Sequence, residues 1–420
     1  MSTFTAAGPR PEIVSTIETR ASWAVCLTAL GIAAVSFGAP VITVVALKPI
    51  AAELEGGRSV AALAYSLAWL GAACGGILTG RIAERVGVRW TVMFGALMIA
   101  LGLAVASSGG APSLLLGYGV FVGFLGNSGI NAPLYIYVSR WFDKRRGTAL
   151  ALLSSGQSVS AAIWAPVFAP LVAQIGWRHA MLVFAAIVIA AVVPTAAVMF
   201  GPAPEGSGDH GTASGQRRAG APVLGMPAGT ALAMIAAAGF LCCVPMAMPQ
   251  GHLVALCSDA GIPAGQGATM LSVLLGCAFV SRQFWGLVAD RIGGLRTVLA
   301  GSICQIVAMA GFLATQNEAG LFAVSAVFGL GFSGIIPAYV LAIRELFPAA
   351  EASWRVPTVL LFSGSGMAFG GWLAGAIYDR VGFYAAAFAT GIAFNAAHLI
   401  LIGTLVYRQQ RVAEAATRAA

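Results

Sequence analysis

Apolar residues run along this chain in long stretches. Charges, prolines and glycines divide them into twelve segments, at 23–47, 60–80, 90–108, 113–139, 148–174, 179–200, 227–256, 264–289, 297–314, 320–343, 356–378 and 383–407. A helix needs about 20 apolar residues to cross a bilayer, so each segment predicts one crossing. The runs are continuous and rich in Ala, Leu and Gly, without the period-two alternation of a membrane β-barrel. The expected fold class is an all-α membrane protein with twelve transmembrane helices. One stretch breaks the pattern: Gly201 to Gly225 is rich in Gly, Ala, Pro and Ser and carries Arg217 and Arg218, the composition of a flexible linker. The expected layout is a cytoplasmic tail over 1–22, a six-helix bundle over 23–200, a cytoplasmic linker over 201–226, a second six-helix bundle over 227–407 and a cytoplasmic tail over 408–420.

Composition removes the soluble alternatives. Of 420 residues, 59% are hydrophobic and only 9% charged, where a soluble domain carries about 25% charged. The net charge of +8 is mostly an orientation signal and gives no reason to expect nucleic acid. With the N-terminus inside, eighteen of the 23 Lys and Arg fall on the cytoplasmic side; Lys48, Arg58, Arg178 and Arg380 fall outside, and Arg282 belongs to neither. Seven cysteines, six of them within apolar segments and none in a CxxC pair, suggest neither a disulfide framework nor a metal or cofactor site. The first twenty residues are polar and lead into an uncleaved first helix. High Ala, Gly and Arg with almost no Lys points to a bacterial inner (plasma) membrane.

The two halves repeat each other. Gly80-Arg-Ile-Ala-Glu84-Arg85-Val-Gly87-Val-Arg89 follows the second segment, and Gly286-Leu-Val-Ala-Asp290-Arg291-Ile-Gly293-Gly-Leu-Arg296 follows the eighth, 206 residues later. Ser128-Gly129-Ile130 and Ser333-Gly334-Ile335 match at an offset of 205, and a weaker loop copy, Gly375-Ala-Ile-Tyr-Asp379-Arg-Val-Gly382, follows the eleventh segment. Copies at three-helix steps are the trace of nested repeats.

These loops, the central linker and the six-plus-six layout resemble the major facilitator superfamily over essentially the whole chain. Two further stretches are similar to monocarboxylate porters and oxalate/formate antiporters: Tyr137 to Ala149 after the fourth segment, and His252 to Pro263 at the end of the seventh. The resemblance implies two pseudo-symmetric bundles, transport by alternating access and a substrate-binding Arg on helix 8, which here is Arg282. It also exposes two departures. Ala278 stands where many such porters carry an Asp or Asn, and Ser363 to Phe369 lacks the cation that dicarboxylate-handling relatives carry on helix 11.

None of the fifteen acidic residues lies in the middle of an apolar segment, so no interior carboxylate is available to relay protons. Arg282 is the interior charge. It costs at least a few kcal/mol there unless it faces a wet cavity or a partner, and a guanidinium holds a carboxylate in bidentate fashion at any physiological pH. It is read as the binding group for a substrate carboxylate; the competing reading has it reaching to the cytoplasmic interface. One fixed positive charge favours a monocarboxylate over a dianion. His252 titrates near neutral pH and is the candidate for proton coupling, against a purely structural role at the outer end of its segment. Asn131 and Tyr339 are the preferred polar pair lining the site, with Asn127, Gln157 and Ser363 beside them; each of these residue types also serves as packing glue between helices. In the gating loops, formed by Gly80, Glu84, Arg85, Gly87, Arg89 and by Gly286, Asp290, Arg291, Gly293, Arg296, the carboxylate is expected to cap a helix and pair with an Arg as a releasable latch.

The function expected is therefore secondary transport of a small organic monocarboxylate, as anion exchange or proton symport, by a chain acting as a monomer in the lipid bilayer. Drug or metabolite efflux is the alternative, and a carboxylate-binding sensor is a more distant one. No nucleophile–base pair or metal cluster suggests an enzyme.

Overall fold

The computed structural model describes residues 18–142, 145–201 and 222–419, and among these the only regular structure is helical. Eleven apolar runs are long enough to cross a membrane; the longest, Gly147–Met199, holds two helices joined at Gly176, so the total is twelve. We label them α1 (Arg20–Val45), α2 (Gly57–Val86), α3 (Val88–Ser108), α4 (Ala111–Ser139), α5 (146–175), α6 (177–199), α7 (Ala228–Asp259), α8 (Ala264–Ile292), α9 (Gly294–Ala314), α10 (Glu318–Leu346), α11 (Ala349–Val381) and α12 (Tyr384–Ala419). Their order follows the twelve apolar segments. Residues 408–419, expected as a tail, instead continue the last helix. Of the linker, 202–221 lie outside the described residues; its end is a tight turn, Val223 and Met226 exchanging backbone hydrogen bonds of 2.8 and 3.0 Å, set against Val412 of α12.

The sharp joints share one device. Gly87, Gly176, Gly293 and Gly382 have φ of 95°, 77°, 81° and 84°, a region side chains avoid. They join α2 to α3, α5 to α6, α8 to α9 and α11 to α12. Gly176 follows Gly87 by 89 residues and Gly382 follows Gly293 by 89. Three of them end the loop copies seen in the sequence; the fourth joint keeps the glycine and has lost the rest. The three-helix unit therefore occurs four times.

Small residues set the packing. A side chain at Gly366 or Gly370 of α11 would collide with the carbonyls of Phe240 and Val244 on α7, so these two helices touch backbone to backbone. Gly370→Val is expected to force them apart, costing about 1–3 kcal/mol or more by overpacking; the check is a lowered melting temperature and reduced monodisperse yield in detergent. Longer apolar side chains face outward instead. Trp90, Phe94, Leu97 and Leu101 form one exposed stripe on α3, and Val280, Phe284 and Leu287 another on α8. An apolar exterior at this scale is solvated by lipid, which makes the chain a multi-pass integral membrane protein.

Several helices are not simple: α5 tightens at Ser155 and α10 is interrupted at Ser333–Gly334. α1 breaks at Phe37, and α4 is π-helical over Gly117–Asn127 before returning to α geometry at Ser128. The two ends of the described chain lie on one side, here called the terminal face; the joints at 46–56, 176, 260–263 and 382 lie on the opposite face.

Candidate functional site

Arg282 lies on α8 seven residues beyond Leu275, two turns along and so on the same helix face. Its Nη1 donates to the carbonyl of Ser154 at 2.7 Å and approaches Ser154 Oγ at 3.1 Å, bridging the two halves of the chain. Ser154 ends the first stretch of α5, just before the turn tightens at Ser155. Tyr135 of α4 lies near both Arg282 and the Ser154 side chain and interacts electrostatically with the guanidinium. Among the described residues no carboxylate pairs with Arg282, and its buried Nε has no hydrogen-bond partner. The guanidinium is thus held by a neutral carbonyl and retains an unused donor, the arrangement of a cation that can accept an anion.

One turn further along α5 is Gln157, which lines a narrow cavity of about 20 Å³, room for about one water, between the halves. Phe37, Val41 and Val44 of α1, Tyr65 and Trp69 of α2, Gln250 of α7 and Leu271 and Leu275 of α8 complete most of its wall. Phe37 stacks on Trp69 with ring centres 5.8 Å apart, and Tyr65 meets Trp69 edge-on at 6.3 Å.

On the opposite face the halves are locked. Asp259, at the end of α7, accepts from Lys48 Nζ at 3.0 Å and from both terminal nitrogens of Arg58, at 2.5 and 2.7 Å. Asp379 caps α2 from the other half, accepting from the backbone N–H groups of Arg58 at 2.8 Å and Ser59 at 2.9 Å. The Arg58 guanidinium lies 3.7 Å from the centre of the Tyr378 ring. Nearby, the Arg178 hydrogen bond to Glu53 holds that carboxyl below its usual range.

A helix cap and an ion pair of the kind expected at Glu84 or Asp290 are present in this conformation at the third loop copy, through Asp379, and at Asp259. Asp290 is exposed and makes no ion pair among the described residues, and the same holds for Arg85, Arg291 and Arg296; the Glu84 side chain lies outside them. Arg89 instead donates to the Phe200 carbonyl at 2.9 Å. Gly80 faces Ile136 within its own half, and Gly286 has open space around it. The physical reason is the conformation: among the described residues, ion pairs join the halves only on the opposite face, and none joins them on the terminal face.

Gln157 lines the cavity, three residues along α5 from the Ser154 that holds Arg282; the other polar candidates do not line it. Tyr339 is fully buried and its hydroxyl bonds His398 Nε2 at 2.8 Å, so it is spent on joining α10 to α12. Asn131 donates to the Asn127 carbonyl at 2.9 Å within α4, and Asn127 and Ser363 are buried in helix contacts. His252 is fully buried behind the latch: Nε2 lies 2.8 Å from the Gly371 carbonyl and Nδ1 3.1 Å from the Tyr384 hydroxyl. A carbonyl only accepts, so Nε2 carries the proton and, in the neutral ring, Nδ1 accepts from Tyr384. The residues sequence reasoning missed are Tyr135, Trp69, Tyr65, Phe37 and Gln250, and the latch set of Lys48, Arg58 and Asp259.

Twelve bilayer-crossing helices, with halves that meet around a central cavity and close on one face, define a membrane transporter. The Major Facilitator Superfamily profile matches residues 24–250, and the chain belongs to that superfamily. It is 28% identical over 326 residues to monocarboxylate transporter 13 of Bos taurus, covering 74% of this chain and 72% of that one. It is 24% identical over 314 residues to the MFS transporter asaE of Aspergillus flavus, covering 73% and 68%. Its fold resembles the crystal structure of a bacterial homologue of the human lysosomal transporter Spinster in an inward-facing, occupied conformation, with a TM-score of 0.69 and 14% identity, covering 94% of this chain and 98% of that one.

Proposed function

We propose that this protein is a secondary transporter that carries a small organic monocarboxylate across the membrane by alternating access. The observation that carries the reading is Arg282, a guanidinium within an apolar span, bonded to the neutral Ser154 carbonyl and supplied with no protein carboxylate among the described residues. The likeness to monocarboxylate transporter 13 supports the substrate class. The residues over 23–200 and 227–407 act as two bodies rocking about the cavity. The excess of Lys and Arg in the loops of the terminal face supports an orientation with both termini in the cytoplasm, and the low Lys content supports a bacterial inner membrane; on that reading the locked face is the outer one. Coupling is by anion exchange or by proton symport, for which His252 is the side chain to test once the latch opens.

The test is flux in proteoliposomes. Labelled monocarboxylates are expected to enter, faster when unlabelled monocarboxylate is trapped inside. Movement of bulky neutral compounds with no carboxylate flux overturns the reading in favour of efflux, which the apolar wall of the cavity and the likeness to asaE support.

A further inference from the structure

The last helix is longer than a bilayer is thick. α12 runs 36 residues from Tyr384 to Ala419, about 54 Å at about 1.5 Å per residue, against a hydrocarbon core of about 30 Å. About 20 residues cross that core, so a crossing that starts at Tyr384 ends near Thr404. Ile400 is 73% exposed, on the side of the helix that meets lipid tails. Thr404, Tyr407, Arg408 and Arg411 follow it four, seven, eight and eleven positions on, along the same face. That face therefore turns polar and basic at the depth of the phospholipid headgroups, where Tyr is favoured.

A recess of about 450 Å³ opens here, within the usual range of about 300–1,000 Å³ for ligand sites. α12 supplies Thr404, Tyr407, Arg408 and Arg411 to its wall, and the end of the linker supplies Leu224 and Gly225. Arg411 Nε donates to the Tyr407 hydroxyl at 2.8 Å. That bond orients the guanidinium and leaves its two terminal nitrogens without an ion pair among the described residues. Glu414 acts on Arg411 through space only. Arg408 is exposed and makes no ion pair among the described residues.

Two guanidiniums about one turn apart, one of them already held as a fork, match the oxygens of a phosphodiester. Thr404 spends its hydroxyl hydrogen on the Ile400 carbonyl at 2.8 Å, so toward a ligand it accepts, and its natural partner is a hydroxyl. The backbone N–H groups of Leu224 and Gly225, at the tip of the linker turn, make no hydrogen bond among the described residues and can donate to oxygen. No carboxylate lines the recess among the described residues. The ammonium of a zwitterionic headgroup therefore finds no counter-charge there, while a headgroup that ends in hydroxyls finds partners.

We propose that this recess binds the headgroup of an anionic phospholipid from the leaflet at the terminal face, its phosphate on Arg408 and Arg411, its glycerol hydroxyls between Thr404 and the linker turn, and its acyl chains along Ile400. Basic pockets at the membrane surface recognise anionic headgroups in this way. The bound lipid fastens the end of the linker to α12, adding to the contact of Val412 with Gly225. The site is separate from Arg282 and does not depend on what the protein transports.

The experiment strips the purified full chain of lipid in detergent and titrates it with phosphatidylglycerol, phosphatidylethanolamine and glycerol 3-phosphate, read by native mass spectrometry and thermal shift. Phosphatidylglycerol is expected to bind at least about tenfold tighter than phosphatidylethanolamine and to raise the melting temperature. Arg408→Ala with Arg411→Ala should abolish that preference. Arg20→Ala with Arg344→Ala removes the same charge from exposed positions elsewhere on the terminal face and should retain it. Tyr407→Phe releases the Arg411 guanidinium and should weaken phosphatidylglycerol about threefold; it serves as the second variant should the double substitution fold poorly. Equal binding of the two lipids, or a preference that survives without Arg408 and Arg411, overturns the site. An equal loss in the Arg20 and Arg344 variant also overturns it, because net charge alone would then account for binding. If glycerol 3-phosphate stabilises as well as phosphatidylglycerol, and removing Arg408 and Arg411 abolishes both, the recess takes a soluble phosphate and the lipid assignment fails.

Discussion

Arg282→Ala is expected to weaken monocarboxylate binding by about 30-fold or more. Hydrogen bonds to a charged group are worth about 1.5–3 kcal/mol, and each 1.4 kcal/mol is tenfold in affinity. Among the described residues the guanidinium hydrogen-bonds only to Ser154, and the titratable side chain that acts on it is Tyr135. Arg282→Lys keeps the charge and loses the planar fork, so its affinity should fall between the two. The competing role is mechanical, because the same Nη1 ties α8 to α5 across the halves. Calorimetry and melting without ligand separate the two. A binding residue gives weak binding with an almost unchanged melting temperature. A strut gives a lowered melting temperature with affinity intact, and that result would remove Arg282 from the site.

Asp259→Asn is expected to open the opposite face. The substitution preserves size and removes the charge that accepts from Lys48 and Arg58. Exposed ion pairs are worth about 0–1 kcal/mol, but this one is bidentate, shared between two cations, and backed by Arg58 packed on Tyr378. Its side chains are 11% exposed at Arg58 and 26% at Asp259. A loss of about 1–2 kcal/mol shifts a two-state population by about 5–30-fold, toward the state in which the opposite face is open. Spin labels at Glu55 and Ala260 report the change as a longer distance between halves. The reversed pair, Arg58→Asp with Asp259→Arg, should restore the short distance. An unchanged distance in Asp259→Asn would mean that the tight contacts of α2 with α11, such as Gly375 against Ser59, hold the face shut without the charges.

The fold was legible because bilayer thickness and the interior–exterior apolar pattern act locally: each crossing announces itself within about 20 residues. Arg282 was legible for the same reason, as a charge where lipid and helix packing tolerate none. What failed to show were relations between distant residues. Asp259 meets Arg58 across 201 positions and Asp379 meets it across 321; in the sequence each is one more polar residue near a segment end. Tyr339 looked like a site residue because its position matches the fourth segment by repeat. Only the fold shows its hydroxyl committed to His398. Trp69, Tyr65 and Phe37 passed unnoticed because aromatic residues are ordinary in apolar helices, and which face they present depends on the break at Phe37 and on the helices opposite.

The π-helical stretch of α4 bears on how the two halves compare in length. From Gly80 to Ser128 the first half counts 48 positions, while from Gly286 to Ser333 the second counts 47. The matching part of α10, within Glu318–Phe332, is ordinary α-helix, whereas α4 is wide over Gly117–Asn127. A π turn takes up an additional residue without rotating the helix beyond it, so Ser128-Gly129-Ile130 keeps the station of Ser333-Gly334-Ile335 despite the surplus. The insertion has been absorbed inside the span rather than in a loop. Removing one residue there would leave the flanking helix faces in register, whereas the same deletion elsewhere in α4 would turn every later side chain by about 100°.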